Sequence, residues 1–136
     1  MAKIKRLAID SMILIYLIEK NQKFFAAAKT ALESADQIIL SSLGLGEILA
    51  GFEKSSDADG KLRFLSFIES YKKISVVGFG KQEALIFAEL RSKYPSIKPP
   101  DAIHLATAIS ARADRFLTND QHLKCVEEMK MQLLKT

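Results

Sequence analysis

The sequence predicts an α/β fold in which a central, mostly parallel sheet carries helices on both faces. Short aliphatic runs alternate with helical segments along the whole chain, the order that makes βαβ units and parallel pairing. No Pro- or Gly-rich linker divides the 136 residues, so residues 1–136 are expected to be a single domain. Hydrophobic residues make up 49% of the chain, enough for one substantial core but, at this size, not for a second independent one.

The elements follow in order. Ile4 to Ile9 (IKRLAI) is short, aliphatic and stops at Asp10-Ser11, the pattern of a buried strand running into a helix start. Ser11 to Glu19 is apolar on nearly every side and predicts a buried helix. Phe24 to Ala35 places Phe24, Ala28, Ala31, Leu32 and Ala35 on one helical face. Ile38 to Leu40 is a second strand closed by Ser41-Ser42, and Leu43 to Phe52 is a helix with Glu47 in its early turns. Ser55 to Gly60 (SSDADG) reads as a polar turn. Leu62, Leu65, Ile68 and Tyr71 then mark an amphipathic helix ending on Lys72-Lys73, the favourable charge for its C-terminus.

Ile74 to Val77 is a third strand. Lys81 to Tyr94 is an amphipathic helix with Ala84, Phe87, Ala88 and Leu90 inward and Glu89 to Lys93 as an exposed i,i+4 pair. Pro95 to Pro100 (PSIKPP) predicts a loop held open by adjacent prolines, and Ala102 to Ala111 a buried helix. Phe116-Leu117 is a very short strand, Thr118-Asn119-Asp120 a turn, Gln121 to Met129 a short helix, and Met131 to Leu134 a last strand.

Composition narrows the function classes. A single cysteine, Cys125, excludes an internal disulfide framework and a cysteine-based zinc cluster. Two histidines, His104 and His122, are too few for a histidine-rich metal site. The basic N-terminus is followed by an apolar run that Asp10 interrupts, unlike a signal peptide. Met12 to Ile18, the longest apolar stretch, is far too short to cross a bilayer. A cytoplasmic, soluble protein with no membrane partner is therefore expected. The net charge of +4 suits a polyanionic partner without demanding one.

In open α/β sheets, ligands bind beyond the carboxyl ends of the strands. Asp10 directly follows the first predicted strand, and Asp120 follows the Phe116-Leu117 strand through a short turn. Glu47 lies in the helix after the second strand, and Asp101 opens the helix after the proline loop. Each acid alone is explained by the preference for acids at helix starts. Together they are not, because four like charges at one sheet edge repel unless a cation compensates them. Carboxylates alone are the oxygen donors that Mg²⁺ or Mn²⁺ prefers, and such an ion activates water and neutralises a phosphodiester.

The residues around these acids carry a resemblance. Asp10-Ser11 after a strand, Ser41-Ser42-Leu43 leading to Glu47, PPDAIHLATA around Asp101 and FLTND ending at Asp120 resemble the PIN domain, with VapC-type toxins of prokaryotic toxin–antitoxin pairs as the nearest likeness. It spans essentially the whole chain in order and spacing. The resemblance implies a three-layer α/β/α sandwich and a Mg²⁺- or Mn²⁺-dependent endoribonuclease that leaves a 5′-phosphate and a 3′-hydroxyl. It implies Asp10, Glu47, Asp101 and Asp120 as metal-binding catalytic acids, with Ser11 and Thr118 as polar supporters. It also implies an RNA substrate, a cognate antitoxin partner and a homodimer. Two positions depart from the family pattern: Met12, where a small polar residue is usual, and Gly44, where threonine is common.

Other signals carry less. Gly78-Phe79-Gly80 imitates the start of a dinucleotide fingerprint, but Glu83 at the third glycine position would repel a pyrophosphate. His104, flanked by Ile103 and Leu105, reads as a packed, hydrogen-bonded histidine. His122 is expected to be exposed beside Asp120. Lys98, close to the Asp101 helix, is a candidate contact to RNA phosphate. Two rival readings remain at this level: a non-catalytic PIN-like module that binds RNA or protein, and another metal-dependent phosphoryl-transfer enzyme such as a DNA nuclease.

Overall fold

The computed structural model describes residues 4–135. Five strands form one sheet: β1 (Ile4–Ile9), β2 (Ala35–Ser41), β3 (Ile74–Val77), β4 (Arg115–Thr118) and β5 (Met131–Leu133). Their order is β3-β2-β1-β4-β5, and every neighbouring pair is parallel. The connections are α1 (Ser11–Ile18), α2 (Phe25–Glu33), α3 (Ser42–Lys54), α4 (Ala58–Ser70), α5 (Lys81–Lys93) and α6 (Pro99–Ser110), with a short 3-10 helix over Gln121–Cys125 before β5.

Alternation along the strands divides the core in two. Leu7, Ile9, Ile38, Leu40 and Leu117 pack with Ile13, Ala28, Leu32, Ile48 and Phe64 from α1 to α4. Ala8, Ile39 and Phe116 pack on the other face with Leu90 of α5, Leu105 and Ala106 of α6, and Leu123. Because the central strands are covered on both faces, they appear in the sequence as near-continuous apolar runs rather than alternating ones. The result is the three-layer α/β/α sandwich.

The chain winds outward from β1 through β2 to β3, then returns to lie beside β1 as β4, where Ile9 pairs with Leu117. The direction of winding thus reverses between β1 and β4. The crevice at the carboxyl ends of those two strands is the switch point at which such sheets bind ligands.

Several local expectations change. Ala35 opens β2 instead of closing α2. The polar run before α4 is its start: Asp57 caps the helix by accepting from the Gly60 N–H at 2.9 Å. The inward face of α4 is built from Gly60, Phe64, Leu65 and Ile68, while Leu62 is 63% exposed. On α5, Ile86, Phe87 and Leu90 pack inward and Ala84 and Ala88 face solvent. Lys93 of that helix reaches Glu128 at 3.2 Å and Glu127 at 3.7 Å, tying the C-terminal segment to α5. Pro99 and Pro100 belong to α6 rather than to the loop, since a first-turn proline loses no helical hydrogen bond and has its φ already set. The predicted helix from Gln121 to Met129 is only the 3-10 helix, and the last strand stops at Leu133.

Lys73 also serves another helix than the one expected. α4 ends at Ser70, and the Lys73 Nζ donates instead to the carbonyls of Leu32 and Glu33, each at 3.3 Å, at the end of α2. Lys73→Met is expected to destabilise the protein by about 0.3–1 kcal/mol, the scale of a cation at a helix C-terminus. The measurement is denaturant unfolding, and a loss that persists undiminished in high salt would contradict this electrostatic origin.

Candidate active site

Asp10 leaves the carboxyl end of β1 and caps α1, with its Oδ1 accepting from the Met12 N–H at 3.0 Å. Its Oδ2 accepts from the Thr118 hydroxyl at 2.7 Å. Thr118 ends β4 and is fully buried. The same Thr118 oxygen accepts the Asp120 N–H at 3.1 Å, so one hydroxyl links the acids that follow the two strands at the switch point. Asp120 in turn caps the 3-10 helix, its Oδ1 accepting from the His122 backbone N–H at 2.9 Å. The exposed His122 ring lies 3.0 Å from that oxygen.

Glu47 projects from the second turn of α3. Its Oε1 accepts from the Ser11 hydroxyl at 3.0 Å and lies 2.9 Å from His104 Nε2. Ser11 therefore supports Glu47 rather than Asp10, which it follows in sequence. His104 is only 4% exposed and its Nδ1 lies 2.6 Å from Ser41 Oγ. Ser41 also caps α3, accepting from the Gly44 N–H at 2.9 Å. The packed, hydrogen-bonded histidine expected from sequence is thus present, and its partners are Ser41 and Glu47.

Asp101 stands in the first turn of α6. Among the described residues no hydrogen bond falls on its carboxylate, so capping does not account for it. Burial raises its pKa first of all and the nearby charge of Asp120 next, with Glu47 adding a smaller push, while His104 and, less, Lys98 pull it down. Asp10 is also raised, by burial, with the Thr118 hydrogen bond opposing. Asp120 is lowered, chiefly by the His122 backbone N–H. Asp101 thus stands within electrostatic range of Asp120, Glu47 and Lys98.

The two family departures have structural outcomes. The Met12 side chain is 42% exposed, and only its backbone N–H serves the site. Gly44 lies against the His104 ring, where an added Cβ would sit 2.9 Å from Leu40 Cδ1 and 3.6 Å from His104 Cε1. Asn119 was not singled out from sequence, yet its Nδ2 donates to the Tyr16 hydroxyl at 3.1 Å and steadies the β4 turn against α1. Among the described residues no three His, Cys, Asp or Glu side chains stand together as a ready-made ion cage. No helix among them is long and apolar enough to cross a membrane.

Comparison with known proteins bears on the whole chain. The PIN domain family profile matches residues 7–128. A search of curated proteins finds no match. Among solved structures, a toxin–antitoxin complex from Klebsiella pneumoniae aligns with a TM-score of 0.73 and 25% identity, covering 90% of this chain and 94% of that one. VapBC2 from Rickettsia felis, bound to a promoter DNA fragment, aligns with a TM-score of 0.75 and 19% identity over 94% of this chain and 98% of its own. VapC20 from Mycobacterium tuberculosis, described as a sarcin-ricin loop cleaving toxin, aligns with a TM-score of 0.71 and 13% identity over 88% and 93% of the two chains.

Proposed function

The chain belongs to the PIN domain family, and from that premise we propose that it is a metal-dependent endoribonuclease, the toxin of a VapBC-type toxin–antitoxin pair. One observation carries the reading. Asp101, unbonded and half-buried beside the β1–β4 switch point, is crowded by the charges of Asp120 and Glu47. A protein gathers like charges in this way at a cost, and a divalent cation relieves it.

The donor set fits Mg²⁺ or Mn²⁺, which take hard oxygen ligands and need no histidine or thiolate. Asp10, Asp101, Glu47 and Asp120 would hold the ion. The ion, when bound, supplies activation of water and neutralisation of phosphodiester charge. Among the described residues these side chains do not stand as a closed cage, and Asp101, whose carboxylate accepts no hydrogen bond there, is the one that would move toward an ion. Thr118 holds Asp10 and Asp120 in fixed relation, and Lys98, placed close enough to act on both Asp101 and Asp120, would meet an RNA phosphate arriving at the site. Water attacking in line would leave a 5′-phosphate and a 3′-hydroxyl.

The test is purified protein incubated with RNA and with DNA, with Mg²⁺ or Mn²⁺ and with chelator, beside Asp10→Asn and Asp101→Asn. Metal-dependent RNA cleavage lost in both variants is the expected result. Cutting that survives chelator or either substitution refutes the mechanism, and cutting of DNA alone moves the assignment to a DNA nuclease. The antitoxin and a homodimer are further parts of this proposal, tested by co-purification with the product of an adjacent reading frame and by sedimentation.

A further inference from the structure

Glu47 has an asymmetric environment that the capping and family arguments leave unexplained. The hydrogen bonds to its carboxylate, from Ser11 Oγ at 3.0 Å and with His104 Nε2 at 2.9 Å, both fall on the same oxygen, Oε1. Among the described residues none falls on Oε2. The Glu47 side chain is 38% exposed whereas that of His104 beside it is 4% exposed.

The hydrogen-bond directions can be worked inward from Ser41 and Glu47. The Ser41 Oγ accepts the Gly44 N–H at 2.9 Å; because the Glu47 carboxylate only accepts, a neutral His104 carries its one proton on Nε2 and leaves Nδ1 to take the Ser41 hydroxyl proton. Nδ1 lies 2.6 Å from Ser41 Oγ, and the Nε2 N–H donates to Glu47 Oε1. Gly44 contributes twice: its N–H orients the Ser41 hydroxyl, and its missing Cβ leaves room beside Leu40 and the ring. The chain Gly44–Ser41–His104–Glu47 is a one-way series of donors.

We propose that Ser41 and His104 are positioning residues that set the His104 tautomer so that, with Ser11, they saturate Glu47 Oε1 and present Oε2 alone to the cation. The inference rests on the metal-dependent reading above and deepens it, since it assigns Glu47 as a ligand through one defined oxygen. Two donors on one oxygen also stop the carboxylate from rotating into a bidentate grip or toward solvent. Partners of this kind to metal-binding carboxylates change affinity or activity by about 10–100-fold when removed.

Three measurements test it on the intact chain. Long-range ¹⁵N–¹H NMR of the metal-free protein reads the tautomer directly, and a protonated Nε2 with a bare Nδ1 is expected. A proton on Nδ1 overturns the proposal whether or not the protein binds metal. Mn²⁺ affinity, by calorimetry, is expected to fall about 10–100-fold in His104→Leu. His104→Gln, whose amide N–H reaches about as far as Nε2 and needs no tautomer partner, is expected to recover most of it. Ser41→Ala is expected to weaken Mn²⁺ binding with His104 present but to add little to His104→Gln, a coupling that loss of the α3 cap alone cannot produce. If the wild type binds no Mn²⁺, the functional reading fails and the positioning role with it. If the wild type binds and His104→Leu binds equally well, the positioning role fails alone. Should His104→Leu not fold, the tautomer and the Ser41→Ala coupling decide.

Discussion

Asp101→Asn is expected to lower RNA cleavage by about 10²–10³-fold, the scale of losing one preorganised electrostatic group, while raising the melting temperature of the metal-free protein near pH 7. The two effects have one cause. The folded-state pKa of Asp101 lies above its ordinary value because of burial and the charges of Asp120 and Glu47. A raised carboxylate pKa contributes stability that is fully present below the unfolded value and lost as pH rises through the folded value. At neutral pH the ionised Asp101 is therefore a net cost to folding, and an isosteric neutral side chain removes it. The site is partly open to solvent, which screens the gain, and a higher Tm for the metal-free variant is the expected sign.

Asp10→Asn differs instructively. Asp10 is raised by burial too, but its carboxylate accepts from Met12 and from Thr118. Asparagine keeps the first bond and turns an amide toward a Thr118 oxygen that already accepts from Asp120. Its stability gain should be smaller than that of Asp101→Asn and its loss of cleavage similar. Paired melting curves and cleavage rates check both. An Asp101→Asn protein that is inactive and also less stable would falsify the view that this carboxylate is held for function at the expense of folding.

Much of the site was legible in the sequence because it sits where strands end. Asp10 after IKRLAI and Asp120 after FLTN follow from strand placement alone, and the observed order makes β1 and β4 neighbours at the switch point. The preference for acids at helix starts, which touches all four in the sequence, separates in the structure. Asp10 and Asp120 do cap helices, whereas Asp101, in the first turn of α6, and Glu47, in the second turn of α3, accept no capping hydrogen bond among the described residues. The His104 network was less accessible. His104 lies one turn past Asp101, which places both on one face of α6, but Ser41 and Glu47 stand 63 and 57 residues away at the end of β2 and on the helix it leads into, and nothing local in sequence joins them to His104. Helix faces were misassigned for a different reason. On α4 the leucine spacing favours Leu62, yet packing against Phe52 selects Phe64, so tertiary contacts override the local pattern. Pro99-Pro100 misled because a proline pair that opens a loop and one that starts a helix look alike until the following hydrogen bonds are known.

Mn²⁺ is expected to reverse the pH dependence of stability. In the metal-free protein, Asp10 and Asp101 lose their stabilising contribution as pH rises through the carboxylate range, because both folded-state values are raised. Asp120 opposes them: its lowered value contributes stability above the ordinary range that disappears as pH falls. Two raised groups against one lowered, exposed group predict a metal-free protein that gains little or loses slightly between about pH 4 and pH 7 from this site. A cation binds only the ionised carboxylates, so its affinity rises over the same interval. At a concentration about 100-fold above its dissociation constant it adds roughly 2.7 kcal/mol, or about 5–10 °C in Tm. The shift should shrink as pH falls and Asp10 and Asp101, with their raised values, take up protons, and should largely vanish in Asp101→Asn at every pH. A thermal shift that is the same at both ends of the range, or the same in the variant, would place the bound ion away from these carboxylates.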